Sequence, residues 1–441
     1  MSRFVVPALV AALLLAAPAA RAAGGDLDPS FGRGGRVMVD LGNSADIANA
    51  VALQPDGKIL VGGTTYINND FSGEDFALVR LNADGSRDAG FGVNGRVSTD
   101  FPGLAAEIAA VLVQPDGKIL VAGGAFPLFA FLGNFTLARY LPDGTLDPAF
   151  GTGGIVTTHF PGLQGSFASS IALQADGRIV AAGTGYVDFS SNESSNTDFA
   201  LARYNADGSL DASFGSGGLV TTDFAARNDD AFAVMVQPDG RLVAVGSARN
   251  SSTDYDFAAA RYFANGQLDT SFGSGGKVHV DFIGGFDRAQ AAVLQPDGRI
   301  VAAGFATSRN GGSQNFAVLR CNADGTLDTG FNGSGKRQID FGSCCQSAYA
   351  VLLQRDAKLV LAGYPNSEST DSDFVLARLD AAGALDPSFG TGGRVRTSFG
   401  DLNGGATDAA LMPDGRIVAV GFQATNTPQS AQFAVARYRG R

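Results

Sequence analysis

Apolar residues come in short bursts along this chain, and a turn signal ends each burst. The first set shows the form: Ala50 to Leu53, then Pro-Asp-Gly at 55–57, then Ile59 to Val61. An apolar run, a turn and a second apolar run predict a tight β-hairpin. Phe76 to Leu81 predicts a third strand, and Val37 to Leu41, with copies such as Val220 to Phe224, a fourth. Apolar residues are successive rather than alternating within these runs, which predicts sheets covered on both faces. Outside the N-terminus no window carries a 3.6-residue period.

The pattern repeats seven times. Leu-Asp-x-x-Phe-Gly has its phenylalanines at Phe31, Phe91, Phe150, Phe214, Phe272, Phe331 and Phe389, with intervals of 60, 59, 64, 58, 59 and 58 residues. Gln-Pro-Asp-Gly-Lys/Arg and Asp-Phe-Ala-Leu-Ala-Arg recur in step with it. A fixed period of this size means one supersecondary unit copied in tandem. Four strands per unit predict an all-β fold, a seven-bladed β-propeller of four-stranded antiparallel blades. Small residues crowd the strand before Pro-Asp-Gly, as at Ala109-Ala110 and Ala291-Ala292, so that strand is placed innermost and named a. Strands b, c and d follow outward. The repeats open on a d strand and close on a c strand, Phe433 to Tyr438. The N-terminal strand is therefore expected to complete the last blade and close the ring without open edges. A linear solenoid is the alternative; it would want distinct capping repeats, and none is visible.

Residues 1–22 read as a signal peptide, with Arg3, an apolar core from Val5 to Ala17, and Ala20-Arg21-Ala22 as a cleavage site. The propeller is then residues 23–441, expected to be soluble, exported and monomeric, in the periplasm or outside the cell. No further apolar run predicts a membrane span. The formal net charge of −11 argues against nucleic acid and anionic membranes as partners and permits cations. Three cysteines exclude a disulfide framework. A strained bridge between adjacent Cys344 and Cys345 stays open.

Three phrases in cyclic order, Gln-Pro-Asp-Gly-Lys-Ile-Leu-Val-x-Gly, Asp-Phe-Ala-Leu-x-Arg-Leu-Asn-Ala-Asp-Gly-Ser and Leu-Asp-Pro-Ser-Phe-Gly, resemble the delta-60 repeat family of exported bacterial β-propellers. The resemblance covers the mature chain. It implies a propeller fold and export, and it brings no activity or catalytic residue. Arg355-Asp356-Ala357, Asn332 and Ala382 depart from the pattern.

Insertions fall almost wholly between strands b and c, at 11 to 16 residues, whereas Gln (or Met412) to the Gly ending strand b is nine in every unit. The b–c and d–a connections share one rim of an up-and-down blade. One rim is thus variable and the other fixed, and variable loops on a rigid scaffold are where binding is expected. On the fixed rim an Arg ends every c strand and an Asp follows eight residues later: Arg80 and Asp88, Arg139 and Asp147, Arg203 and Asp211, Arg261 and Asp269, Arg320 and Asp328, Arg378 and Asp386. Arg437 and Asp28 complete the set from opposite ends of the chain. These predict structural ion pairs. Asn82 to Asp88 also has the look of an oxygen-ligand Ca²⁺ loop, but it lacks the further carboxylates and the terminal Glu of an EF-hand. No other cofactor or metal is expected.

His159 and His279 are far apart, which leaves carboxylates as the candidate chemistry. Asp46, Glu107, Asp229, Asp230 and Asp287 fall just before strand a, at the expected channel mouth on the variable rim, and interrupt the repeat. Two readings follow. One is a non-enzymatic binding or surface-interaction protein with a glycan or protein ligand. The other is a carbohydrate-active enzyme, of glycosidase or lyase type, with acids in the axial funnel.

Overall fold

The computed structural model describes residues 23–42, 45–66, 74–127, 132–188, 196–224, 228–249, 255–307, 312–342, 345–365, 373–400, 403–424 and 430–441. Residues 1–22, where a signal peptide is expected, the tips of the b–c loops and Cys344 lie outside them.

Among the described residues the strands form seven four-stranded antiparallel sheets. Blade one is Ala45–Leu53 (a), Ile59–Tyr66 (b), Glu74–Leu81 (c) and Arg96–Thr99 (d). The a strands of successive blades touch all the way round, including the first with the last, so they are innermost and the ring is closed. Strand d is shorter than the apolar run predicts: Arg36–Val39 instead of Val37 to Leu41. Strand a is longer, because a β-bulge carries it past the irregular stretch between Ala48 and Ala50.

All seven a strands are bulged at that place. The bulge explains the constant nine-residue spacing. It drives the carbonyl two residues upstream against the glycine of strand b that lies nine residues after the Gln (or Met412). A Cβ built on Gly63, Gly123, Gly183, Gly246, Gly304, Gly363 or Gly421 would lie 1.8 to 2.0 Å from that oxygen. Glycine is required there for space and not for its dihedral freedom.

Blade seven consists of Gly404–Leu411, Ile417–Ala424, Ala431–Tyr438 and the N-terminal Arg36–Val39, paired from Arg36↔Ala436 to Val39↔Phe433. Its c–d turn is assembled from both ends of the repeats. Gly25 N donates to Arg439 O, and Arg439 N to Asp26 O, each at 2.8 Å. The intact turn of blade one has the same two bonds, from Gly85 to Asn82 and from Asn82 to Ser86, at 2.9 and 2.8 Å. Gly25 and Gly85 share a left-handed φ, 89° and 90°. Two of the irregular positions fill slots held elsewhere by left-handed glycines: Asn332 has φ 52° and Ala357 φ 63°. Asp380 Oδ1 takes the N–H groups of both Ala382 and Ala384 at 2.9 Å, which steadies the turn that lacks the usual Asp.

Each blade-to-blade interface has its own apolar cluster. That between blades two and three is built from Leu137, Phe150, Phe160, Ile179 and Ala202 among others. A core divided this way lets a chain longer than one compact core supports fold as one ring. Hydroxyl pairs bridge adjacent blades inside these clusters: Thr99 with Tyr140 at 2.7 Å, Thr158 with Tyr204 at 2.8 Å, and Tyr262 with Thr222 at 2.8 Å.

On the fixed rim every c-strand Arg meets its Asp. Nε to Oδ2 distances run from 2.7 Å in Arg80–Asp88 to 2.9 Å in Arg378–Asp386 and Arg437–Asp28. Each guanidinium lies over the Phe of the Phe-Gly phrase, 4.5 to 4.8 Å from the ring centroid. It also reaches into the next blade. Arg80 Nη1 donates to Pro142 O at 2.5 Å, Arg320 to Ala381 O at 2.7 Å, and Arg203 to Ala264 O. The Asp carries a second cation that the spacing did not reveal, the Lys or Arg ending Gln-Pro-Asp-Gly-Lys/Arg. Lys58–Asp88 is 3.1 Å and Arg178–Asp211 3.0 Å. Asp84 Oδ1 accepts from Ser86 N and Oγ at 2.9 and 2.7 Å. One oxygen of the Ca²⁺-like loop, Asp84 Oδ1, thus faces donors of the protein itself.

Candidate ligand-binding site

The five acids at the start of strand a separate into two groups. Asp46, Asp229 and Asp287 are fully buried. They occupy one repeat position, and their expected place at the channel mouth is corrected. Each accepts the backbone N–H of the residue five before it: Leu41 at 2.8 Å, Phe224 at 2.6 Å and Phe282 at 2.7 Å. Gln346 serves Phe341 N in the same way at 2.8 Å. The d strand ends two residues earlier than expected, so the N–H two residues beyond its end leaves the ladder and needs a buried acceptor. These acids are braces of the d–a connection.

Burial pushes Asp229 and Asp287 up to about 7. Backbone hydrogen bonds oppose the rise, and neighbouring acids add to it. The carboxylate oxygens of Asp198, Asp223 and Asp229 lie within 4.8 Å of one another, as do those of Asp256, Asp281 and Asp287. A divalent cation is the metal such oxygens would take. Without one, like charges this close hold a proton instead.

Glu107 and Asp230 occupy the next repeat position, and each bonds side chains of a neighbouring blade. Glu107 is half-buried and accepts Asn49 Nδ2 at 2.9 Å. Burial first, and then Glu74, push its carboxyl up to about 7 against that hydrogen bond. Glu74 is also raised, by burial, with Tyr66 opposite it across the hairpin. Asp230 bonds Thr184 and Thr197 hydroxyls at 3.1 Å and Arg288 Nη2 at 2.7 Å. Burial pushes the Tyr186 hydroxyl up, and Asp230 and Glu107 add to the rise against Arg288.

Arg288 leads into an aromatic stretch that the sequence reading did not single out. Its guanidinium lies 4.8 Å from the Phe232 centroid and 5.8 Å from that of Tyr255. Tyr255 meets Phe286 at 4.8 Å, and Phe286 stacks on Phe305 at 5.7 Å and 13°. Phe286 is 36% exposed and Ile283 beside it 50%. Further round, Tyr349 stacks on Tyr364 at 5.1 Å and 10°, and Tyr364 meets Phe422 edge-on at 5.6 Å. The rim therefore carries an arc, acidic and tyrosyl over blades one to three and aromatic with arginine over blades four to seven. A signal was available. Twenty of the 32 phenylalanines fill repeated slots, and Phe232, Phe286, Phe305 and Phe422 do not.

The arc has the make-up of a recognition surface: aromatic faces for apolar contact and a few placed polar groups for orientation. Carboxyls near neutrality add proton-transfer capacity at one end.

Comparison with known proteins bears on the fold. Comparison with curated proteins gave no match. Three solved structures are similar in shape. The polysaccharide lyase Uly1 has a TM-score of 0.49 at 10% identity, covering 97% of this chain and 94% of that one. A catalytically inactive virginiamycin B lyase from Staphylococcus aureus has 0.46 at 10% identity, covering 91% and 98%. The NanB sialidase from Streptococcus pneumoniae, as a mutant, has 0.45 at 9% identity, covering 92% and 70%. None carries an argument about function at this distance. A model of a domain of unknown function, the DUF5122 β-propeller, matches residues 54–91, 114–150, 174–214, 237–272, 295–331 and 354–389. Six of the seven repeats are matched, and the chain belongs to this β-propeller family.

Proposed function

We propose that this is an exported, non-catalytic binding protein that holds a glycan along the arc on its variable rim. The observation that carries the reading is the exposed Phe286, stacked on Phe305 and flanked by Tyr255 and Arg288. Aromatic faces take the C–H face of a sugar ring, and the Arg288–Asp230 pair offers donors and acceptors to its hydroxyls. The arc departs from the sevenfold repeat, which supports one ligand site per ring. A glycan and polysaccharide array probed with residues 23–441 tests this. The expected result is retention of a small set of glycans, lost in Phe286→Ala. An array with no retained glycan would reject it.

A second reading, glycan cleavage, is favoured by one observation. Glu107 carries a carboxyl near neutrality with Glu74 and Tyr66 beside it, suited to general acid–base work. Incubating retained polysaccharides with the protein and measuring new chain ends tests it. New ends that disappear in Glu107→Gln support cleavage; binding without new ends supports the first reading.

A further inference from the structure

The residue after the crowded glycine of strand b divides the ring in two. In blades one to four it is Thr64, Gly124, Thr184 and Ser247. In blades five to seven it is Phe305, Tyr364 and Phe422. Thr64, Thr184 and Ser247 are buried, so the fold packs around a small side chain at this place and does not call for a ring. Phe305 is buried against exposed Phe286, whereas Tyr364 and Phe422 are themselves half-buried. Three consecutive blades thus each present a partly exposed aromatic side chain at the end of strand b or the start of strand a: Phe286, Tyr364 and Phe422.

The backbone makes room for one of these rings. A Cβ built on Gly405 of blade seven would lie 2.5 Å from Tyr364 Cγ. The Tyr364 ring therefore lies against strand a of the next blade, and it meets Phe422 edge-on with centroids 5.6 Å apart. Across the hairpin Tyr364 pairs with Ser347 and Phe422 with Gly405, neither of them charged. Phe305 pairs with Arg288, whose charge Asp230 balances at 2.7 Å. One aromatic position copied through three blades suits a ligand that itself repeats, and balanced charge beside it suits a neutral one.

Resting on the glycan reading of the arc, we propose that the ligand is a linear, uncharged polysaccharide bound through several consecutive sugar units. Phe286 takes one unit, and Tyr364 and Phe422 take units further along the chain. Each ring offers its face to the C–H face of a sugar, and the ring slot sets the course of the polymer from blade five to blade seven.

Oligomers of glucose (α- and β-linked), mannose, xylose and N-acetylglucosamine, from dimer to octamer, are titrated by calorimetry into residues 23–441. At least one series should bind, with affinity that climbs with chain length and then levels off. Tyr364→Ser and Phe422→Thr should each weaken octamer binding about two- to tenfold and narrow the gain from short to long chains. Both variants should still melt cooperatively, since Ser247 and Thr64 fill the same place in other blades. Affinity that does not change with length, or octamer binding that neither substitution weakens, would overturn the proposal and leave the glycan reading standing. So would array retention confined to anionic or branched glycans, with none of these series bound. An array on which no glycan is retained would end the glycan reading, and this proposal with it.

Discussion

The two rims of this ring use the same residue types in opposite ways. On the fixed rim, burial alone would raise Asp386, but Ser388, Lys358 and Arg378 outweigh it and bring the carboxyl down to about 2. On the variable rim burial wins, and Asp229, Asp287 and Glu107 stand near 7. The difference lies in partners. Fixed-rim acids each face two cations at every copy, whereas Asp229, Asp287 and Glu107 accept from backbone N–H groups or an amide and lie near other acids. The first rim spends its charges on holding blades together. The second carries groups outside the sevenfold repeat, such as half-buried Glu107 and exposed Phe286.

The largest effect should come from opening the ring. Deleting residues 26–41 removes the outer strand of blade seven, the split turn and Asp28, and it exposes the edge of Ala431–Tyr438. The product should aggregate or lose its cooperative melt; unchanged solubility and melting would show that closure matters little. Next comes the ion-pair staple. Arg203→Ala leaves buried Asp211 short of a partner and frees Ala264 O in the next blade, a loss of roughly 3–5 kcal/mol in denaturant unfolding. Asp211→Ala should be non-additive with it, and strict additivity would break the pairing.

A smaller loss follows from Gly183→Ala, whose Cβ would press on Phe167 O. It should cost about 1–3 kcal/mol by overpacking. Gly177→Ala is the control, since its Cβ meets nothing within 4 Å and only its φ of +84° resists the change.

The pH profile sharpens the contrast between rims. Carboxyls raised in the folded state contribute stability that is complete below about pH 4 and lost as pH climbs through 7. Depressed fixed-rim carboxyls contribute stability present above about pH 4 and lost as pH falls through 2. Stability should therefore decline on both sides of about pH 4. Asp229→Asn keeps an acceptor for Phe224 N and should flatten only the limb from 4 to 7, as read by melting temperature against pH. An unchanged upper limb would mean that Asp229 does not carry a raised pKa.

What could be read from the sequence follows the same division. Phrases in strict register gave the blades, the closure and the Arg–Asp pairs, because repeated neighbours repeat their contacts. Lys58 was equally regular, but its partner Asp88 lies one hairpin and one strand away, beyond local inspection. The burial of Asp46, Asp229 and Asp287 was hidden because an acid beside a strand reads as solvated. Their fixed offset of five from Leu41, Phe224 and Phe282 was the missed clue. The arc was hidden for the converse reason: its residues repeat nowhere, and only the folded ring brings Glu107, Asp230, Arg288 and Phe286 onto one rim.

The central claim is that irregularity on the variable rim marks the ligand site. It is tested most directly by titrating a retained polysaccharide into the wild-type protein, Phe286→Ala and Arg203→Ala. Phe286→Ala should bind at least about tenfold more weakly with an unchanged melting temperature. Arg203→Ala should melt lower and bind as before, with one polysaccharide site per chain. Full affinity in Phe286→Ala, or an affinity loss that follows Arg203→Ala instead, would contradict the account.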